Sequence, residues 1–273
     1  MPELSTQPPV VLSLSSHDPS GSTGIQADIE TAISLGSHCC PVVTALCARD
    51  TRRLINLVPA DSHLLVEQTR AILEDMPVRA IKLGYFCQVS QIEAVHSILQ
   101  DYPQLPVVLD PVVNLSIDRP SLPLPDNSNQ LISALQSLLL PLADIITPDI
   151  VEAHQLARQG DTVDACGQEL LDYGGRAVLI TGASRTAENY ENRLYRPEQP
   201  LRSYAWPRLS VFSHGSGATL SAAIACYLAH GLLFEEAIEQ GQQFTWNCLQ
   251  ASRRLGMGHS IPHRLYWARC DQD

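Results

Sequence analysis

Lysine is almost missing from this chain: Lys82 is the only one in 273 residues. With 18 Lys plus Arg against 29 Asp plus Glu, the formal net charge is −11. A nucleic-acid-binding surface usually shows a basic stripe, and none is present. The pairs Arg52-Arg53 and Arg253-Arg254 are read as solvated surface. Most cationic chemistry must therefore come from arginine, metal ions or backbone N–H groups. No apolar run approaches the ~20 residues of a membrane-spanning helix. Residues 1–9 are polar and Pro-bearing, without the basic start of a signal peptide, so a cytoplasmic protein is expected. The eight cysteines form no Cys-x-x-Cys pair, which argues against zinc and for buried free thiols. Internal repeats and low-complexity segments are also missing. There is no Gly-x-x-x-x-Gly-Lys motif, and no Gly-x-Gly-x-x-Gly follows the first strand. Those two absences argue against P-loop proteins and dehydrogenases.

What is present is an alternation of apolar strands and helices. Residues 10–15 read as a buried strand, 16–24 (SHDPSGSTG) as a turn-rich loop, and 25–35 as a helix ending at Gly36. That is the opening of a doubly wound fold, with a ligand expected where the strand ends. Asp18 and Asp28 flank the loop, Asp28 in the first helical turn. Strands follow over 41–47, 54–58, 79–84, 106–110, 143–147 and 176–182. Helices are expected near 61–74, 91–99, 130–140, 148–153, 166–173 and 234–252. Thr147 is the expected cap of the 148–153 helix, with Pro148 at its first position. Residues 116–128 read as an exposed loop, and 190–206 as an antiparallel hairpin at the sheet edge. The expected architecture is one domain over 1–273: three α/β/α layers around a mostly parallel sheet with an antiparallel edge. Its flexible N-terminus covers 1–9 and its irregular tail 256–273.

The chain's chemistry centres on SHGSGATLSAAIA, residues 213–225. Gly215 and Gly217 lack Cβ atoms, so an anion can approach the backbone N–H groups of the turn. A small-residue helix follows, with Ser216 or Thr219 as the expected cap; its N-terminus carries unpaired N–H groups and partial positive charge. Phosphate binds well at such a place. Asp110, at the end of the 106–110 strand, and Glu152, in the first turn or so of its helix, fall on the same face of the sheet. Carboxylates beside an N–H cradle suit magnesium and a nucleotide polyphosphate.

The chain resembles the hydroxymethylpyrimidine/phosphomethylpyrimidine kinase family of thiamine biosynthesis, within the ribokinase-like superfamily. The matching stretches, in the family's order, are SHDPSGSTGIQADIE (16–30), PVVTALCARDT (41–51), AIKLGYF (80–86), VVLDPVV (107–113), LLPLADIITPDIVEAH (139–154), AVLITG (177–182) and HGSGATLSAAIA (214–225). The resemblance implies a ribokinase-like fold, ATP with Mg²⁺, a homodimer, and phosphorylation of a pyrimidine CH₂OH group or its monophosphate. It places Ser16, Asp28, Arg49 and Tyr85 around the pyrimidine and Asp110 and Glu152 at magnesium. It puts Thr181, His214 and Gly217 at the nucleotide, and makes Gly215, Ser216, Gly217 and Ala218 the anion hole. The family usually has Cys at 218, Gln at 49, Met at 85, Gly at 16, and often Lys at 181 and near Leu115. Most of these departures line the implied pocket. They leave two other readings open: a kinase of a related heteroaromatic alcohol such as pyridoxal, or a non-catalytic binding protein on the same scaffold. Arg49 is free on this reading either to pair with Asp28 or to bind a substrate phosphate.

Overall fold

A computed structural model describes residues 7–113, 128–210 and 213–268. The expected 116–128 loop lies outside these residues except for Ser128, as do the ends of the N-terminal and C-terminal segments. Among the described residues nine strands form one sheet: β1 (Val10–His17), β2 (His38–Arg49), β3 (Leu54–Pro59), β4 (Val78–Leu83), β5 (Val107–Leu109), β6 (Ile145–Ile146), β7 (Val178–Arg185), β8 (Asn189–Tyr195) and β9 (Arg202–Pro207). Their order is β3-β2-β1-β4-β5-β6-β7-β8-β9. β3, β8 and β9 pair antiparallel to their neighbours, and the central pairs are parallel. The expected 190–206 hairpin is β8–β9. β3 joins β2 only from Ala45 onward. Pro41 thus sits where one side of β2 has no neighbouring strand, the place for a residue with no N–H.

The helices are α1 (Gly24–Ser34), α2 (Ser62–Asp75), α3 (Val89–Asp101), α4 (Ser128–Ala134), α5 (Ile150–Leu156), α6 (Val163–Asp172), α7 (Ser216–Ala229) and α8 (Phe234–Gln250). Strand alternation sorts the core into two layers. Val10, Leu12, Leu14, Ile81, Leu83 and Leu109 pack with residues of α2, α3, α5 and α6. Val11, Ala80, Val108, Ile145 and Leu179 pack with residues of α7 and α8 on the other face. Both faces are covered, so the central strands read as continuous apolar runs.

Three local expectations change. The helix expected over 130–140 is α-helical only to Ala134; a π turn (Leu135–Leu139) and a 3₁₀ turn (Leu140–Leu142) follow. Pro141 has no N–H to continue an α-helical ladder. The cap of α5 is Asp149, not Thr147. Its carboxylate accepts from the N–H of Val151 and Glu152, and Glu152 Oε2 accepts from the Asp149 N–H at 2.9 Å, a complete capping box. Two carboxylate-to-backbone bonds outcompete a threonine hydroxyl two residues earlier, and Pro148 stays outside the helix. Asp61 caps α2 by accepting from the His63 and Leu64 N–H groups.

Candidate active site

The polar residues of the central strands gather at their C-terminal ends, on the face toward α1 and α7. Along β1 this face begins with Val11 and continues with Ser13 and Ser15. Along β4 it runs from Ala80 to Lys82, and beyond β5 from Val108 to Asp110. Apolar residues hold the sheet to the helices at one end, and buried polar ones take over at the other. Chain order reverses between β1 and β4, and a crevice outside these strand ends is the expected place for a ligand in an open α/β sheet.

Asp28 reaches this crevice from α1. The helix begins at Gly24, so Asp28 falls in its second turn and not in the expected first. Ser13 Oγ donates to Asp28 Oδ2 at 2.7 Å. Lys82 Nζ lies 3.1 Å from each carboxylate oxygen but makes a hydrogen bond only to Oδ2. Asp28 Oδ1 is buried with no hydrogen-bond partner. The pairing of Asp28 is thus with Lys82, not Arg49. Sequence reasoning gave Lys82 no role, yet a signal existed: the chain's single lysine sits inside an apolar strand, where an unpaired ammonium would be expensive to bury.

Arg49, at the end of β2, faces Asp18 instead, with Nε 3.8 Å from Oδ2. Asp18 already accepts from Ser20 N–H, Ser20 Oγ and Thr23 N–H, which holds the loop after β1 in its turn. Ser16 and Tyr85 are buried nearby, and Tyr85 packs with Cys47 and Cys87. Burial pushes the Tyr85 hydroxyl and the Cys47 thiol above their ordinary ranges. All seven described cysteines are free thiols, as expected.

Gly215 caps α7 with φ 103°, and no side chain caps the helix. Neither Ser216 nor Thr219 fills the expected role. Thr219 Oγ1 instead donates to the Gly215 carbonyl at 2.8 Å and accepts from Arg264 Nε at 2.9 Å. A Cβ on Gly215 would lie 1.7 Å from the Ser22 carbonyl oxygen, so only glycine fits this approach of α7 to the β1 loop. Arg264 fastens the joint. It is buried, and it donates to the carbonyls of Gly21 and Ser22 and to Glu30 Oε2. Gly217 faces Asp110: a Cβ there would be 3.5 Å from Asp110 Oδ1.

Asp110 is buried, and its carboxyl is pushed up to about 6, chiefly by desolvation; nearby Lys82 opposes the rise and Asp28 adds to it. Glu152 is also raised, by desolvation first and then by the charges of Asp110 and Asp149. The charge of Asp110 thus disfavours ionisation of Glu152, and Asp110 itself lies beside Gly217 in the first turn of α7. Thr181, at the β7 end of the crevice, donates its N–H to the Pro148 carbonyl at 2.9 Å. His214 is held neutral, its imidazolium lowered to about 3 by burial and by Arg49, His259 and Arg264.

The C-terminal segment closes the site from outside. Gly258 N–H donates to Thr51 Oγ1 and His259 N–H to the Thr51 carbonyl, both at 3.0 Å. Ser260 then gives its carbonyl to the His214 N–H at 3.0 Å. One short strap therefore ties the β2–β3 turn to the glycine turn before α7.

A mostly parallel sheet with this crevice and an open glycine turn at a helix N-terminus defines a ribokinase-like protein. The chain belongs to the phosphomethylpyrimidine kinase family, whose model matches residues 18–263. It is 31% identical over 255 residues to the hydroxymethylpyrimidine/phosphomethylpyrimidine kinase of Escherichia coli, covering 92% of this chain and 94% of that one. It is 32% identical over 274 residues to the thiamine biosynthesis bifunctional protein ThiED of Geobacter sulfurreducens, covering 96% of this chain but only 54% of that longer protein. Among solved structures it is similar to Bacillus subtilis pyridoxal kinase, solved as an ADP complex, with a TM-score of 0.85 at 26% identity over 95% of this chain and 99% of that one.

Proposed function

We propose that this chain transfers the γ-phosphoryl group of ATP to 4-amino-5-hydroxymethyl-2-methylpyrimidine, to its monophosphate, or to both. The observation that carries the reading is the uncapped N-terminus of α7 opposite Asp110. Gly215 turns the chain so that no side chain occupies the first N–H groups, and Gly217 keeps the space toward Asp110 clear. A phosphoryl group in that space meets backbone donors and the helix dipole together. Asp28 Oδ1, buried without a hydrogen-bond partner, is available to accept from the pyrimidine or its hydroxymethyl group. On this reading Ser16, Arg49 and Tyr85 serve the acceptor, and Thr181, His214 and Gly217 serve the nucleotide.

Magnesium fits the residues present. Asp110 and Glu152 are desolvated, the charge of Asp110 disfavours ionisation of Glu152, and a divalent cation beside them relieves that cost. Among the described residues no cluster of three or more acidic, His or Cys side chains could cage a metal. Two carboxylates with phosphate oxygens and water suit magnesium better than an all-protein cage. When bound, the ion neutralises phosphate charge.

Ala218 is buried in the first turn of α7 and cannot take a proton. Phosphoryl transfer depends mainly on positioning and electrostatic stabilisation, so the cradle and carboxylates support turnover without a thiol there. A second copy of the chain is expected to cover Leu46, Ile55 and Val58, which are exposed on the edge pair β2–β3. No helix among the described residues is long and apolar enough to cross a membrane.

The test is to incubate the protein with ATP, Mg²⁺ and the hydroxymethylpyrimidine or its phosphate and follow product mass. A product gaining one phosphate, lost in Asp28→Ala, supports the kinase. Ala218→Cys should raise kcat by about 10²-fold or more, the usual scale of general-base assistance. Ligand binding with no product from either form would favour the binding-protein reading instead.

A further inference from the structure

Two arginines are buried around this site, and they are treated oppositely. Arg264 has an acceptor on each guanidinium nitrogen: Thr219 Oγ1, the Gly21 carbonyl with Glu30, and the Ser22 carbonyl. The side chain of Arg49 is 0% exposed, and none of its three nitrogens has a hydrogen-bond acceptor. Its ion-pair partner among the described residues, Asp18, stands off at 3.8 Å with its oxygens committed to Ser20 and Thr23. Five N–H donors on a permanently charged group are therefore buried without an acceptor among the described residues. Unfilled buried donors are costly, more so on charged groups. What is accessible of Arg49 is its backbone, which with Ser20, Asp50, Thr51, Arg52 and Met257 borders a cavity of about 360 Å³; the guanidinium itself is closed off from that space, so a ligand reaches it only by displacing the side chains around it.

The chemistry of that ligand follows from the donors. A guanidinium only donates, so an amino or ring N–H group presented to it would set donor against donor. Its planar fork matches an oxyanion. We propose that Arg49 is a specificity-determining residue and that the preferred acceptor carries an anionic oxygen group, a phosphate, carboxylate or ionised ring hydroxyl, on its heteroaromatic ring or side arm. The inference rests on the kinase reading only for the hydroxymethyl group that receives phosphate; the anion preference is a property of binding. His214, neutral beside this arginine, adds no competing positive charge.

The experiment is calorimetric titration of the wild-type protein, Arg49→Gln and Arg49→Lys, without nucleotide. The probes are the neutral hydroxymethylpyrimidine, its monophosphate, pyridoxal with its ionisable ring hydroxyl, and 4-pyridoxic acid with its ring carboxylate. The wild type should bind at least one anionic probe about 10-fold or more tighter than the neutral pyrimidine. Which probe it is identifies the source of the oxyanion. Arg49→Gln should reduce that preference by about 10- to 100-fold, and Arg49→Lys should restore part of it through charge without the fork. Far-UV circular dichroism checks folding, and if Arg49→Gln does not fold the Lys variant decides alone: an undiminished preference there counts against the guanidinium fork. An anion-to-neutral affinity ratio unchanged in Arg49→Gln overturns the proposal while leaving the kinase reading intact. Arg49-dependent anion binding with no ATP-dependent product does the reverse.

Discussion

Gly215 and Gly217 stand two residues apart in one turn, yet the geometry gives them different duties, and replacing each by alanine separates these. Gly215→Ala places a side chain at φ 103° and a Cβ 1.7 Å from the Ser22 carbonyl. The left-handed backbone costs about 1–2 kcal/mol. The overlap adds roughly 1–3 kcal/mol, because the Gly21–Ser22 turn that would have to move is held by Arg264. A total of about 2–5 kcal/mol corresponds to a fall in Tm of roughly 5–20 °C for a chain of this size. Gly217→Ala meets nothing nearer than Asp110 Oδ1 at 3.5 Å and lies within α7. Alanine is favoured over glycine in a helix by about 0.5–1 kcal/mol, so Tm should hold or rise by a few degrees. The new methyl group, however, stands between the helix N-terminus and Asp110. Losing one such anion donor costs on the order of 10²–10³ in rate. Differential scanning calorimetry and initial rates of phosphorylated product measure the two effects. A Gly217→Ala protein with unchanged kcat/KM, or one less stable than Gly215→Ala, would refute this division of labour.

Two further perturbations act on the buried charges. Lys82→Met strands the Asp28 carboxylate with only Ser13 for company, which should destabilise the fold by about 3–5 kcal/mol in urea titration at pH 7. Adding Asp28→Asn should recover most of the loss, and a Lys82→Met protein as stable as the wild type would contradict the pairing. Asp110 is raised from 3.8 to about 6, so between those values the folded chain keeps a proton that the unfolded chain releases. Its contribution to stability therefore falls as pH rises through that window. Asp110→Asn should stabilise by on the order of 3 kcal/mol at pH 7.5 and by little at pH 4, while abolishing turnover. Equal Tm shifts at the two pH values would count against it.

Most of the fold was legible because the strands are apolar runs buried on both faces and because turns separate them from helices. The glycine turn before α7, the acid ending the β5 segment and the edge hairpin all announced themselves in composition. Helix caps were less legible, because competing caps differ only in geometry. Asp149 prevails over Thr147 through a reciprocal bond with Glu152 that spacing permits but does not enforce. The π turn after α4 answers to packing and to Pro141, not to hydrophobic periodicity. Charge partners were least legible of all. Asp18, Asp28, Lys82 and Arg49 lie on four different segments, and only the sheet order decides that Lys82 meets Asp28 while Arg49 meets Asp18. Arg264 illustrates the same limit, since its acceptors Gly21 and Ser22 lie 243 and 242 residues away in sequence.

That separation has a consequence for how the protein is made. The arginine that fastens the loop after β1 to α7 leaves the ribosome 242 to 243 residues after that loop. At about 5–20 residues per second, the interval between them is on the order of ten seconds or more. During it, the sheet can form while its crevice has no lid and the glycine turn has no anchor. A contact so distant in sequence is also slow to find and early to let go. Translation order thus leaves this pocket unfinished until Ser260 and Arg264 have emerged, and a chain halted shortly before Ser260 would carry the carboxylates and the phosphate cradle without the clasp that joins them.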